Sequence, residues 1–262
     1  MAATMVPSYE VKLLLQPSIV LGSDNKLQSS VLSAFSIPAS VKKMNVQFLD
    51  TDTKDLYKNG WILRIRKTEG EDELELTYKK RYAIDDGYCG KSEGDIDASL
   101  KMAENDGFNA TAMYEAQIEM GYQKQTLSIS HDRQHPSTGL SGIDLPLDAK
   151  SREILTTNAP EKLKDWLPEN WAFEKLSTSK VYGPVLAKRS KGKWGDMKLF
   201  VEVWRVKNKD LTGFEHIVEA SFKTENRATA LQERNKLAAL LKEKGWLLAE
   251  DSLKTALIME RY

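Results

Sequence analysis

The feature that most constrains this chain is a repeated alternation. Stretch after stretch sets apolar residues at every second position with charged residues between them, the period of a β-strand with two unlike faces. In 8–15, Tyr9, Val11, Leu13 and Leu15 oppose Ser8, Glu10 and Lys12. In 61–67, Leu63 and Ile65 oppose Arg64 and Arg66. In 73–81, Leu74, Leu76 and Tyr78 oppose Glu73, Glu75, Thr77, Lys79 and Arg81. Residues 114–120 set Tyr114, Ala116 and Ile118 against Glu115, Gln117 and Glu119. Residues 198–204 set Leu199, Val201 and Val203 against Lys198, Glu202 and two aromatics. The segments 216–222, with Glu219, and 253–259, with Lys254, read the same way, and 46–51 and 181–190 are further expected strands.

Helical spacing is rarer. It predicts a helix over 225–244 ending at Gly245, a short helix from Asp95 stopped at Gly107, and helical pieces over 149–167 interrupted at Pro160. Loops are expected at 25–30, 83–94 and 131–142, the last rich in Pro, Ser, Thr and Gly. No break separates differently composed halves, so the expectation is one β-rich α+β domain over 1–262.

A charged strand face has two readings. It can face solvent over an apolar core, the ordinary case for an antiparallel sheet. Alternatively, the sheet closes with its apolar face outward under helices, and the charged faces gather in a lumen. Such a lumen would hold cations for phosphate oxygens and carboxylates for a divalent metal. Periodicity alone accommodates both.

Composition narrows the function classes. The 38 Lys and Arg balance 38 Asp and Glu, which argues against general attraction to nucleic acid or an anionic membrane while leaving room for local patches. No apolar run approaches the roughly 20 residues needed to span a bilayer, and 1–8 does not read as a secretory signal. The single cysteine, Cys89, excludes an internal disulfide and a Cys-rich zinc site. These features lead to the expectation of a reduced, cytoplasmic protein.

The motifs follow a familiar order. Ser8-Tyr-Glu10-Val-Lys12 is followed by Phe48-Leu49-Asp50-Thr51, Leu63-Arg64-Ile65-Arg66 and Leu76-Thr77-Tyr78-Lys79. Lys188-Arg189, Glu202, Ile217-Val-Glu219 and Ser252-Leu-Lys254 come later. In this order and spacing the chain resembles the CYTH superfamily, the triphosphate tunnel metalloenzymes, from residue 8 to 260. The resemblance implies a closed antiparallel tunnel of eight or more strands with a polar lumen and helices packed outside. It also implies a metal-dependent hydrolase acting on a small organic or inorganic tri- or diphosphate. Lys12, Arg64, Arg66, Lys79, Arg189 and Lys254 would be the phosphate ligands, and Glu10, Glu202 and Glu219 would ligate Mg²⁺ or Mn²⁺. Lys12, Arg64, Arg66, Lys79 and Glu219 would carry the catalysis.

Two positions depart from the family pattern. Ser8 and Ile217 stand where the paired motifs have their first Glu, so one ion is expected rather than two. Glu115 and Glu119 either add acid to the lumen or are solvated. Two other functions stay open. One is ionisation of an organic diphosphate for elimination or cyclisation, with Phe200 and Trp204 beside Glu202 as its hints. The other is a non-catalytic polyphosphate- or nucleotide-binding module.

Competing motifs fall away on inspection. Gly90-Lys91-Ser92 lacks the Gly that a P-loop needs at position 85, where Asp85 stands. His131 and His135 share helical spacing in an expected loop and read as surface residues. Trp61, Trp166, Trp171 and Trp246 read as packing residues.

Overall fold

The computed structural model describes residues 5–84, 94–110, 113–166, 168, 170–251 and 254–262. Among the described residues are ten strands and nine helices. The strands are β1 (Ser8–Leu15), β2 (Lys42–Asp50), β3 (Trp61–Thr68), β4 (Glu73–Ala83) and β5 (Glu115–Met120). They continue with β6 (Gln125–Pro136), β7 (Lys180–Trp194), β8 (Met197–Lys207), β9 (Phe214–Thr224) and β10 (Leu247–Leu248). The helices are α1 (Pro17–Val20), α2 (Ser29–Ala34), α3 (Asp55–Lys58), α4 (Gly94–Asn105) and α5 (Asp148–Thr157). After them come α6 (Glu161–Lys164), α7 (Trp171–Ser177), α8 (Arg227–Glu243) and α9 (Lys254–Arg261).

The strands form one sheet in the order β10-β1-β5-β6-β4-β3-β2-β7-β8-β9, and β9 pairs back onto β1. Nine strands therefore close a barrel, with β10 as a short addition beside β1. The expected tunnel is present, but it is mixed rather than purely antiparallel. β1 and β5 run parallel, with Ser8 opposite Gln117 and Glu10 opposite Glu119. The count dictates this: alternating directions cannot close around an odd number of strands, so one neighbouring pair must be parallel. β7 and β8 join by the tight turn Gly195-Asp196, where Gly195 takes φ +57 at no Cβ cost.

The apolar face of the sheet lies outward under the helices. Val11, Leu13 and Leu15 of β1 belong to the same buried cluster as Leu237 and Leu241 of α8, and Leu63, Ile65, Leu74 and Leu76 join it from β3 and β4. This decides between the two readings of the alternation, because the charged residues are left on the inside of a closed ring. A second apolar cluster sits on that inner face. Leu14, Met44, Val46, Phe48, Ile62, Trp204 and Ile217 pack there with Ile258 and Met259 of α9.

Two expected elements are corrected. The expected strand 253–259 is not one where it is described: from Lys254 onward the chain forms α9, with Thr255, Ile258 and Met259 buried at helical spacing. Nor is α9 an outer helix, since it caps one end of the lumen from within. The expected loop at 131–142 is strand as far as Pro136, because β6 pairs with β4 along its whole length, from Ala83 opposite Thr126 to Glu73 opposite Pro136. His131 is consequently buried on the outer face against Tyr78 and Tyr114. Cys89, Gly90-Lys91-Ser92 and most of the 83–94 loop lie outside the described residues, as does Ser252. No helix among the described residues is long and apolar enough to cross a membrane.

Candidate functional site: the charged tunnel

Three groups of ionic side chains line the lumen. The first centres on Glu119 of β5, which is 6% exposed. Its carboxylate takes Lys79 at 2.9 Å, Arg81 at 3.2 Å, Lys12 at 3.3 Å and the Ser128 hydroxyl at 2.9 Å. Lys12 also meets Glu10 at 2.9 Å. In the amide orientation that satisfies both neighbours, Gln117 donates to Glu10 at 2.8 Å and accepts from Lys223 at 2.9 Å. Burial opposes ionisation of Glu119, yet Lys12, Lys79 and Arg81 together hold its carboxyl well below the usual carboxylate range. Burial pulls the Lys79 ammonium down despite the pull of Glu119, while Glu10 and Glu119 overcome burial to raise that of Lys12.

The second group joins β7, β8, β9 and α9. Glu202 and Glu219 face each other across the β8–β9 ladder. Lys254 donates to Glu202 Oε2 at 2.9 Å and to Glu219 Oε1 at 2.8 Å. Arg189 Nε donates to Glu202 Oε1 at 2.7 Å, and Trp204 Nε1 donates to Oε2 at 2.8 Å. Burial again opposes charge on Glu202, and Lys254 and Arg189 outweigh it, lowering its pKa.

The third group sits between β3 and β4. Arg64 donates to Glu75 at 2.8 Å and to the Thr77 hydroxyl at 2.7 Å, and Arg66 pairs with the other oxygen of Glu75. A cavity of about 670 Å³ opens at this end, lined by Arg66, Glu75, Gln134, Arg189, Lys191 and Phe200 among others. A smaller cavity of about 270 Å³, touching Lys12, Glu119 and Glu219, lies at the opposite end beside Asp251 and Ala256.

The groups differ from satisfied structural networks in one respect. Nε of Arg64, Nε of Arg66, and both Nε and Nη1 of Arg81 are buried without a protein acceptor. Buried guanidinium donors are normally paired, and these are donors that an anion in the lumen can take.

The expected phosphate ligands Lys12, Arg64, Arg66, Lys79, Arg189 and Lys254 all reach the lumen. The expected metal ligands do not converge. Glu10 stands opposite Lys223 on β9, whereas Leu14 stands opposite Glu219. Four residues therefore separate Glu10 from Glu219 along these strands, roughly 13 Å at strand rise. Both oxygens of Glu202 already accept from cations or an indole, and no group of three or more His, Cys, Asp or Glu among the described residues is arranged to hold a metal ion. The donor set of Glu10, Glu202 and Glu219 does not fit one ion.

Sequence reasoning passed over Arg81, Lys223 and Glu75 as site residues, although the period-two face that held Lys79 also held Glu75 and Arg81. It leaned towards a solvated Glu119; the barrel buries it. Lys188, paired in the motif with Arg189, points to the other face, opposite Val203.

The backbone can now be compared with known structures. A candidate adenylyl cyclase from Hippeastrum, HpAC1, described as having a dominant triphosphatase activity, superposes with TM-score 0.56 at 15% identity, covering 97% of this chain and 99% of that one. A candidate adenylate cyclase from Bacillus halodurans superposes with TM-score 0.55 at 14% identity, covering 95% of this chain and 96% of that one. At this identity the likeness is one of fold, a closed tunnel shared over nearly the whole chain. No protein-family model and no curated protein matches the sequence. In this chain Ser8 and Ile217 line the lumen without charge, and Glu119 supplies an acid from β5, the strand parallel to β1.

Proposed function

We propose that the chain binds a tri- or diphosphate in the tunnel and hydrolyses its terminal phosphoanhydride. The observation that carries this reading is the set of buried, acceptor-free guanidinium nitrogens on Arg64, Arg66 and Arg81, facing the same lumen as Lys12 and Lys79. The triphosphatase activity described for the Hippeastrum protein of the same fold supports it. Phosphoryl transfer to water needs little covalent chemistry from a protein. It needs positioning and neutralisation of the charge spread over the phosphoryl oxygens. Guanidinium forks on β3 and β4 offer bidentate contacts, and the lysines add point charges. Glu75 and Glu119 hold those cations in place until phosphate oxygens displace them. Water oxygen then bonds to the terminal phosphorus, the bridging P–O bond breaks, and orthophosphate leaves with the shortened chain. The protons released from water pass to phosphate oxygens and solvent.

Ionisation of a prenyl-type diphosphate finds less support. Trp204, its aromatic hint, donates to Glu202, carries the Lys254 ammonium 4.7 Å from its ring centre, and is buried in the inner apolar cluster. Phe200, the other hint, does line the cavity of about 670 Å³, but among Arg66, Arg189 and Lys191, whose charges suit phosphate oxygens. The test is product analysis after incubation with tripolyphosphate, pyrophosphate and a prenyl diphosphate, each with EDTA and with Mg²⁺ or Mn²⁺. Orthophosphate release from tripolyphosphate is expected. Altered carbon products would replace this reading with the ionising enzyme, and binding without turnover would reduce it to a binding module.

A further inference from the structure

The centre that was expected to hold a metal already contains a cation. We propose that the Lys254 ammonium occupies the position of a divalent ion between Glu202 and Glu219, making the tunnel self-sufficient in positive charge. The two carboxylates are 6% and 4% exposed and lie directly opposite each other on adjacent strands, where side chains are about 5 Å apart. Lys254 bridges them, one oxygen from each, at 2.9 and 2.8 Å. Its ammonium also lies over the Trp204 ring, and Arg189 takes the remaining oxygen of Glu202. Two carboxylates thus face two cations, Lys254 and Arg189. A divalent ion entering here must expel the ammonium from a site that leaves its side chain only 17% exposed, or share the site with it against like-charge repulsion.

The placement of Lys254 is not explained by its helix. It is the first residue of α9, where the helix dipole disfavours a positive charge. The acids, not the helix, hold it there, while Ile258 and Met259 fix α9 in the mouth of the barrel and aim the lysine inward. Glu10, the third acid of the expected metal set, stays with Lys12 and Gln117 in the other group.

The first arm of the test uses Mn²⁺ alone and so is independent of the proposed triphosphate chemistry. Titration calorimetry or Mn²⁺ spin resonance on the wild-type protein is expected to show no site up to millimolar ion. Lys254→Gln, which removes the cation and keeps a polar side chain one atom shorter, is expected to create one site at least tenfold tighter. Lys254→Arg, which keeps the charge, is expected to create none. Thermal melts identify any variant that has lost its fold, in which case Lys254→Met replaces Lys254→Gln. Tight Mn²⁺ binding to the wild type, or no gain on removing the charge, overturns the proposal. The second arm rests on the proposed function: tripolyphosphate is expected to bind the wild type in EDTA within twofold of its affinity with Mn²⁺. Binding only with the ion overturns the self-sufficiency, whereas no binding in either buffer refutes the triphosphate reading and leaves the Mn²⁺ arm to decide the role of Lys254.

Discussion

Two of the three ion-pair groups of the tunnel use the same residue types to opposite ends. Around Glu119 the cations Lys12, Lys79, Arg81 and Lys223 outnumber the carboxylates Glu10 and Glu119. Around Glu202 and Glu219 the cations are Lys254 and Arg189, and the charges balance. A surplus of cations with donors left over suits the proposed anion. A balanced cluster is complete, and its role is to hold α9 in the barrel end. The lesson is that lumen location does not by itself make a side chain a ligand; local charge balance decides.

The largest effect should come from breaking the surplus centre at its hub. Glu119→Gln leaves three cations without their shared carboxylate and is expected to destabilise the fold by about 3–5 kcal/mol, measured by urea unfolding near neutral pH. A loss below about 1 kcal/mol would show that the cations do not depend on it. The variant should regain more stability from tripolyphosphate than the wild type does, because the anion replaces the missing charge.

The same carboxylate sets an acid limit. The folded-state pKa values of Glu119 and Glu202 are depressed, so their contribution is present above the ordinary carboxylate pKa near 4.5 and is lost as pH falls below it. Urea midpoints should be flat above about pH 5 and fall below about pH 4, with a shallower fall in Glu119→Gln. An equal acid slope in both proteins would remove Glu119 as its cause.

A smaller effect is expected on ligand binding. Arg64→Ala or Arg66→Ala should each weaken tripolyphosphate by about 1.5–3 kcal/mol, the scale of hydrogen bonds to charged groups. Unchanged affinity in both variants would place the ligand elsewhere. The smallest contrast separates two sequence neighbours. Lys188→Ala, on the outer face, should change stability by less than about 0.5 kcal/mol, while Arg189→Ala, which leaves the buried Glu202 short of a cation, should cost about 1 kcal/mol or more. Equal effects would contradict the assigned faces of β7.

Much of this was legible in the chain. Period-two spacing identifies which side chains share a face, so Glu10 with Lys12, Arg64 with Arg66, and Lys79 with Arg81 follow from the sequence alone. The ends of α4 and α8, at Gly107 and Gly245, follow from their terminating glycines, both of which take positive φ. What the sequence could not decide is which faces meet. Lys254 alternates with its neighbours as a strand residue would, and only the burial of Ile258 and Met259 against the inner cluster makes the segment a helix. Glu119 reads as a lumen acid or a solvated one until the pairing of β5 between β1 and β6 sets it among Lys12, Lys79 and Arg81. Glu10 and Glu219 read as partners until the β1–β9 register separates them by four residues. Local periodicity reports the two sides of a strand; ring closure, strand count and register are long-range pairings, and they determine which charges share the lumen and whether those charges balance.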